Sequence, residues 1–249
     1  MMDHHHIQLC GLSETHLQSS QAKHRLNNDS KYTAFFSSSS NFVKDKNSGV
    51  GIILTKHYAR YVQSYKGYEG RALHVDMYMR GHTKLRVIQL YSHASQINDN
   101  RKKIEELHAY VLKIIKEAQQ KRFMIILMGD FNINYANFME LYNRRHNVSN
   151  WRYRFLNDLK NLQLFDVMTL CHDITHRNPM NTRISNRVDQ NSSRIDYIWI
   201  SQELTQLCNL KNADTVEQYI IPKLDHLLIF VEFWTKDIFQ KKSSARLRQ

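Results

Sequence analysis

A run of six apolar residues, Phe123–Met128, constrains the fold of this 249-residue chain more than any other feature. The run contains no polar residues, which is typical of a central strand covered on both faces. In the preceding segment, Arg101–Gln120, apolar residues recur at steps of three and four, which predicts an amphipathic helix with a lysine-rich outer face. The pattern over Trp151–Leu162 predicts a second such helix. A buried strand with amphipathic helices indicates a layered α/β domain.

Other segments of the chain have the pattern of β-strands. They are Ile7–Leu12, Gly49–Leu54, Tyr58–Tyr65, Leu73–Met79, Lys84–Tyr91, Ile195–Ile200 and Leu227–Phe233. Because apolar and polar residues nearly alternate in Leu85–Tyr91, we expect that strand to be half-buried. Many strands with a few interspersed helices favour two sheets packed face to face, with helices outside. No linker or internal repeat divides the chain, so we expect one domain, residues 1–235, and a basic tail, residues 236–249.

The chain is strongly basic, with 35 Lys and Arg against 23 Asp and Glu and a formal charge of +12. This excess favours binding to polyanions, of which nucleic acid is the commonest, although a basic solvated surface without a ligand is the alternative. The N-terminus lacks the pattern of a signal peptide, and no apolar run is long enough to span a bilayer. We therefore expect a soluble intracellular protein.

Four short segments place acidic, amide or imidazole side chains at the ends of predicted strands. They are Leu12-Ser13-Glu14-Thr15-His16, Gly129-Asp130-Phe131-Asn132, Ser193-Arg194-Ile195-Asp196 and Leu224-Asp225-His226. Together they supply a carboxylate for a hard metal ion, an Asp–Asn pair for a water and a phosphate, and an Asp–His pair. This set of groups is suited to metal-assisted hydrolysis of a phosphodiester.

Each group has an expected role and a plainer alternative. We expect Glu14 to bind the metal because it belongs to this set; taken alone, it would sooner be an exposed acid in a turn or at a helix N-terminus. Asp130 can orient a water and accept its proton, and Asn132 can donate to a phosphate oxygen, on the assumption that extended backbone points both to one side. The alternative for that pair is an Asx-type turn after a strand. Protonated His226 can contact the phosphate while Asp196 holds its other ring nitrogen.

In order, spacing and flanking residues, these segments resemble the endonuclease/exonuclease/phosphatase superfamily, whose members are similar to DNase I. The segments GLSETHL, GDFNIN and SRIDYIWIS are most similar to the endonuclease domain of non-LTR retrotransposons. The resemblance extends from about Ile7 to Trp234 and implies a four-layered α/β sandwich. It also implies a DNA endonuclease that depends on Mg²⁺, with Mn²⁺ as an alternative. A reverse transcriptase encoded in the same element would be a partner, and the nucleus the place of action.

The resemblance assigns further site residues. Glu14 corresponds to the main metal ligand, and Asp225 lies near the metal. Tyr91 corresponds to a strand-end tyrosine whose hydroxyl lies close to the phosphate, or else it is an aromatic residue at the rim of the site. Arginines on or near the flanking loops are candidates for phosphate contacts, which set affinity rather than sequence preference. They are Arg144, Arg145, Arg177, Arg183 and Arg194, with Arg152, Arg154 and Arg187 nearby.

The chain departs from the family pattern before Glu14. The family carries an Asn-bearing strand and a helix ahead of this glutamate, whereas only thirteen residues precede it here. We therefore expect the first strand to be missing. Three functions follow as hypotheses: a DNA endonuclease, a catalytically inactive remnant that binds nucleic acid, and a phosphatase of the same fold acting on a small or lipid phosphate. At the position of Asp196 and Arg194, a local structural ion pair is the alternative to a functional role.

Overall fold

A computed structural model describes residues 2, 6–17, 29–39, 48–79, 82–94, 100–145, 148–175, 181–184, 192–207, 210–216 and 225–233. Arg177, Arg187, Leu224 and the predicted tail 236–249 lie outside this part. In chain order the elements are β1 (Leu9–Leu12), β2 (Tyr32–Ser37), β3 (Val50–Thr55), α1 (Lys56–Ala59), β4 (Val62–Tyr68), β5 (Ala72–Tyr78), β6 (Lys84–Tyr91), α2 (Arg101–Gln120), β7 (Met124–Asp130), α3 (Tyr135–Arg145), α4 (Arg154–Asn161), β8 (Leu164–Asp166), α5 (Val167–Thr175), β9 (Asp196–Ser201), α6 (Gln202–Leu207), β10 (Leu210–Val216) and β11 (Leu228–Phe233).

The largest sheet has six strands in the order β4-β5-β6-β7-β9-β8. Neighbouring strands are antiparallel except β6 and β7, which are parallel and are connected through helix α2. A parallel pair needs such a crossover, because the chain must return to the end of the sheet at which the first strand began before it starts the next strand. Two smaller sheets have the orders β1-β3-β2 and β10-β11.

The six-stranded sheet separates two hydrophobic cores. On one face, residues such as Val75 and Met128 pack with Ile52 of the smaller β1-β3-β2 sheet, and residues of β11 contact the same cluster. On the other face, Leu127 packs with Val111 of α2 and other residues of the helical layer. A sheet layer thus covers one face and helices cover the other. The predicted α/β sandwich, with two packed sheets and helices outside, is confirmed.

Helix α2 and strand β6 have the bounds that the sequence pattern predicts. The prediction of one strand over Tyr58–Tyr65 is wrong, because helix α1 occupies Lys56–Ala59 and β4 begins at Val62. None of the helices in the described ranges combines the length and the apolar character that crossing a bilayer requires.

Strand β6 is buried on both faces, so the prediction of a half-buried strand is also wrong. Its polar residue Arg86 donates to both carboxylate oxygens of Asp76, at 2.6 and 2.7 Å, and to the carbonyl of Ile114 at 2.9 Å. A buried guanidinium is tolerated when its donors have such partners. The alternating pattern therefore marks a paired buried charge rather than a solvent face.

Candidate active site

Tyr91, Asp130 and Asp196 lie side by side across three neighbouring strands of the large sheet. Tyr91 is the register partner of Asp130 in the β6/β7 pair, and Asp130 is the partner of Asp196 in the β7/β9 pair. Register partners project to the same face of a sheet. Tyr91 and Met128, two residues before Asp130, belong to the core between the sheets, so the shared face is the one that meets the smaller sheets. Sheet pairing alone therefore assembles this row.

Gly129 allows the chain to reach Asp130 without a steric clash. Its φ is +131°, a backbone conformation that residues with a side chain rarely adopt. A Cβ at this position would lie 1.9 Å from the carbonyl oxygen of Leu90 on β6. The GDFN segment therefore needs a glycine at this position, because β6 and β7 approach each other too closely for a side chain.

His226 lies two residues before β11 and contacts the row at Asp196. Its Nδ1 lies 2.9 Å from Oδ2 of Asp196. Thr182, which is fully buried, links the two residues through the backbone. Its Oγ1 accepts hydrogen bonds from the backbone N–H groups of Ile195 and Asp196, and its carbonyl accepts one from Leu227. Sequence reasoning missed Thr182, because a lone threonine in a loop carries no signal.

The surroundings of His226 favour its protonated form. Burial lowers the pKa of the imidazole, but the hydrogen bond to Asp196 and the charges of Asp196, Asp130 and Asp225 outweigh it and raise the pKa to about 9. The ring is therefore a cation near neutral pH. A cation at this position can contact a phosphate, and the ring would have to lose its proton before it could bind a metal ion.

The pKa of Asp130 is also displaced. Burial raises it most, and the carboxylates of Asp196 and Glu14 raise it further, while His226 and the backbone N–H of Asn132 oppose the change. The result is a pKa of about 8. Once ionised, a carboxylate with such a raised pKa accepts a proton from water more readily than an ordinary aspartate.

Asn132 lies beside Asp130, but not in the conformation that we expected. Its φ is +52°, so the backbone is left-handed rather than extended, and asparagine tolerates this conformation better than most residues. Its backbone N–H donates to Oδ1 of Asp130 at 2.8 Å, which forms the Asx-type turn. Its side-chain Nδ2 donates to the carbonyl of Ser92 at 2.8 Å and makes a longer contact of 3.3 Å with Asp130 Oδ2. The turn, rather than strand alternation, brings the two side chains together.

Glu14 follows β1 and contacts the row through Tyr91, whose hydroxyl donates a hydrogen bond to Oε1 of Glu14. Burial, followed by this bond, raises the pKa of Tyr91 above its ordinary value. The side chain of Glu14 remains 52% exposed, and its Oε2 lies 3.9 Å from His16. Gln89, two residues before Tyr91, donates to Ser13 Oγ at 3.0 Å and so ties the end of β1 to β6. Gln89 is a further positioning residue that sequence reasoning missed.

A cavity of about 1440 Å³ connects these groups. The predicted site residues that line it are Glu14, Tyr91, Asp130, Asn132, Arg183, Asp196, Asp225 and His226. Asp225 also lies 3.4 Å from Arg183. Several carboxylates thus share one cavity with few cations, which is a surrounding that favours a hard divalent cation.

Two sets of side chains are candidates to hold that cation. Asp130, Asp196 and His226 place possible ligand atoms within 4.8 Å of one another. The raised pKa of His226 and its bond to Asp196 disfavour metal binding by the ring, so this set is better suited to proton transfer and phosphate contact. Glu14 and Asp225 are partly exposed oxygen donors, which fit Mg²⁺.

The arginines that we expected to contact phosphate lie in different surroundings. Arg183 lines the cavity, whereas Arg144 lies on α3 and pairs with Glu140 at 2.7 Å. Arg145 ends α3, and its side chain lies outside the described part, as does all of Arg177. The prediction that Arg194 contacts nucleic acid is wrong. Its side chain is only 3% exposed and pairs with Asp166, 28 residues earlier in the chain, so the ion pair is structural but not the local one that was the alternative.

The fold is similar to the folds of several solved nucleases. A 3'-5' exonuclease from Neisseria meningitidis has a TM-score of 0.69 at 17% identity, over 91% of this chain and 89% of that chain. An AP endonuclease from Archaeoglobus fulgidus has a TM-score of 0.67 at 16% identity, over 93% and 91%. The endonuclease domain of TRAS1, a telomere-specific non-LTR retrotransposon, has a TM-score of 0.58 at 13% identity, over 94% and 89%.

At these identities the solved structures establish the fold alone. No curated protein matches the chain at a significant level. The family model of the endonuclease/exonuclease/phosphatase family matches residues 1–216, which is most of the chain. The chain therefore belongs to the endonuclease/exonuclease/phosphatase family.

Proposed function

We propose that the protein is a Mg²⁺-dependent phosphodiester hydrolase, a DNA endonuclease of the retrotransposon type. The observation that carries the proposal is the row Tyr91–Asp130–Asp196 with His226 bonded to its end. This row brings a proton acceptor and a cation to one cavity. Phosphodiester hydrolysis needs both, one for the attacking water and one for the charge that grows on phosphorus-bound oxygen.

Each residue has a role that its surroundings support. Asp130 orients the attacking water and accepts its proton, for which its raised pKa is suited. Protonated His226, held by Asp196, contacts the scissile phosphate. Asn132 donates to the same phosphate by exchanging its longer contact with Asp130 for a phosphate oxygen. The water oxygen bonds to phosphorus as the sugar oxygen leaves.

Glu14 and Asp225 are the residues that would hold Mg²⁺, or Mn²⁺ in its place. When bound, the ion supplies Lewis-acid polarisation of a phosphoryl oxygen and stabilises the leaving group. Tyr91 fixes the carboxylate of Glu14 by its hydrogen bond. Arg183 sits beside Asp225 and can reach either that carboxylate or a phosphate in the cavity.

DNA as the substrate is supported by charge and by the similar structures. The chain carries a formal charge of +12. A structure of similar fold, the Neisseria 3' phosphatase, is bound to a product DNA hairpin. The retrotransposon type rests on the GLSETHL, GDFNIN and SRIDYIWIS segments, and a reverse transcriptase of the same element and action in the nucleus belong to the same proposal. If the protein is an endonuclease of this type, its nick should leave a 3'-hydroxyl that a reverse transcriptase can extend.

Incubation with supercoiled plasmid and Mg²⁺ tests the proposal. We expect nicked circles that EDTA abolishes and that a reverse transcriptase can extend. Asp130→Ala and His226→Ala should each remove nicking, while Arg60→Ala, which changes an exposed arginine that does not line the cavity, should not. Nicking that persists unchanged in either active-site variant would contradict the assignment.

The phosphatase alternative is favoured by one observation, the 3' phosphatase among proteins of similar fold. The same preparation should therefore be offered DNA with a 3' phosphate, and inositol phosphates. Release of phosphate from inositol phosphates without plasmid nicking would replace the endonuclease proposal. DNA binding without any turnover would favour the inactive remnant.

A further inference from the structure

Arg152 differs from the neighbouring arginines on this side of the protein. Arg154 pairs with Asp158, Arg183 with Asp225 and Arg101 with Glu105. Within the described ranges, no carboxylate lies within ion-pair distance of Arg152. Its side chain is nevertheless half-buried and lines the same cavity as Asp130 and His226. A half-buried guanidinium without a counter-charge is a site at which an anion is favoured.

The position of Arg152 is set by its neighbours. Its Cζ lies 5.2 Å from the centre of the Trp151 ring, and Cζ of Arg101 lies 5.5 Å from the same ring. Contact with an aromatic face holds a guanidinium in place while its N–H groups stay available for hydrogen bonds. The backbone N–H of Arg152 donates to Oδ1 of Asn150 at 3.0 Å, and buried Val148 anchors the start of the loop.

A polar path leads from the catalytic row to Arg152. Asn134, which precedes α3, and Asn137, in its first turn, line the same cavity as Asn132. Asn137 Nδ2 donates to the hydroxyl of Tyr153 at 3.4 Å, and Tyr153 lines the cavity beside Arg152. Among the residues that the structure describes, Asn134, Asn137, Tyr153 and Arg152 give this part of the wall amide, hydroxyl and guanidinium donors. Such donors are the groups that contact the backbone of a nucleic-acid strand.

We propose that Arg152, held against Trp151, binds a backbone phosphate one or more nucleotides away from the scissile phosphate. The guanidinium is always charged, and its fork of donors matches two phosphate oxygens. The inference rests on the proposed function, because a second phosphate is present only when the substrate is a strand. The protein would then act on oligonucleotides and polynucleotides in preference to small phosphate esters. Trp151 acts as a positioning residue for this contact.

The first experiment measures binding of a DNA duplex in EDTA over a range of KCl concentrations, so it does not depend on hydrolysis. Arg152→Ala should weaken binding by about tenfold and reduce the slope of log K against log salt by about 0.9, the value for one phosphate contact. Arg60→Ala is the matched control, because it removes the same charge from an exposed arginine that does not line the cavity. Its slope should equal that of the unaltered protein. Arg152→Lys, which keeps the charge, should keep the slope and lose part of the affinity. Thermal unfolding monitors the folding of each variant.

The second experiment compares two substrates with Mg²⁺. Arg152→Ala should lower kcat/KM on the DNA duplex by about tenfold and leave kcat/KM on bis(p-nitrophenyl) phosphate unchanged, because that ester has no second phosphate. An equal loss on both substrates would place Arg152 in the reaction centre and overturn the inference. So would identical salt slopes for the two alanine variants. If neither substrate is hydrolysed but the slope still depends on Arg152, the proposed function fails and the phosphate site stands.

Discussion

The imidazole of His226 and the carboxylate of Asp196 are joined by a 2.9 Å hydrogen bond, although 30 residues separate them in the chain. Asp196 begins β9 of the large sheet, whereas His226 precedes β11 of a smaller sheet. The bond therefore forms only when both layers are packed. It connects the two sheets at the cavity that we propose to be the active site.

Asp196→Asn should lower the pKa of His226 from about 9 towards its ordinary value of 6.5. The carboxylate that stabilises the imidazolium is removed, while the burial that opposes protonation remains. NMR titration of the ring in the absence of divalent metal measures the change. Glu203→Gln, which removes an exposed carboxylate on α6, is the control and should leave the pKa as it is. An equal His226 pKa in the unaltered protein and Asp196→Asn would show that the two side chains do not interact.

The same pair predicts how stability depends on pH. The folded pKa of His226 lies above the unfolded one, so its contribution is fully present below pH 6.5 and is lost as pH rises through about 9. The difference in free energy of unfolding between the unaltered protein and Asp196→Asn should therefore shrink between pH 7 and pH 10. Urea unfolding at several pH values measures this difference. A difference that stays constant would contradict the raised pKa.

Tyr91→Phe should weaken Mg²⁺ binding by roughly tenfold to a hundredfold, as is usual when a partner that orients a metal ligand is lost. The variant removes the hydroxyl that donates to Glu14 and leaves the buried ring in place. Titration calorimetry with Mg²⁺ gives the affinity directly. Tyr65→Phe makes the same chemical change at an exposed position on β4 and should have no effect. If Tyr91→Phe binds Mg²⁺ with unchanged affinity, the hydrogen bond from Tyr91 does not orient Glu14 for metal binding.

Arg194→Met should destabilise the protein by about 3–5 kcal/mol, because it leaves Asp166 as an unpaired buried charge. The matched control is Arg144→Met, which breaks an exposed pair with Glu140 and should cost less than about 1 kcal/mol. Urea unfolding of the two variants gives both values. Arg194→Met should also leave the salt dependence of DNA binding unchanged in the folded protein. A reduced slope of log K against log salt would show that Arg194 contacts nucleic acid after all.

Gly129→Ala should destabilise the protein by at least about 1–3 kcal/mol, the usual cost of a strained backbone conformation. The residue combines a φ of +131° with a Cβ position 1.9 Å from the Leu90 carbonyl, so β6 and β7 would have to separate. Their separation would move Asp130 away from Tyr91, its register partner. Loss of plasmid nicking is therefore expected together with a lower melting temperature. A variant with unaltered stability and activity would mean that the strands accommodate a side chain there.

The local patterns of the chain were enough to predict the main strands, helix α2 and the polar residues at strand ends. These features depend on apolar periodicity and on short segments such as Gly129-Asp130-Phe131-Asn132. Both can be recognised from residues that are close together in the sequence. The same reasoning placed Asp130 and Asn132 together for the wrong reason. Strand alternation was assumed, but a left-handed Asn132 and an Asx-type turn bring them into contact.

The sequence by itself determined which side chains stand at strand ends and, through the match over residues 1–216, the family. The pairing of His226 with Asp196 was already expected from these segments, whereas only the tertiary structure decided that Glu14 meets Tyr91 and that Arg194 meets Asp166 rather than solvent. The register between strands and the packing of one sheet on the other set these contacts. Both depend on pairings between residues far apart in the chain, which no local pattern encodes.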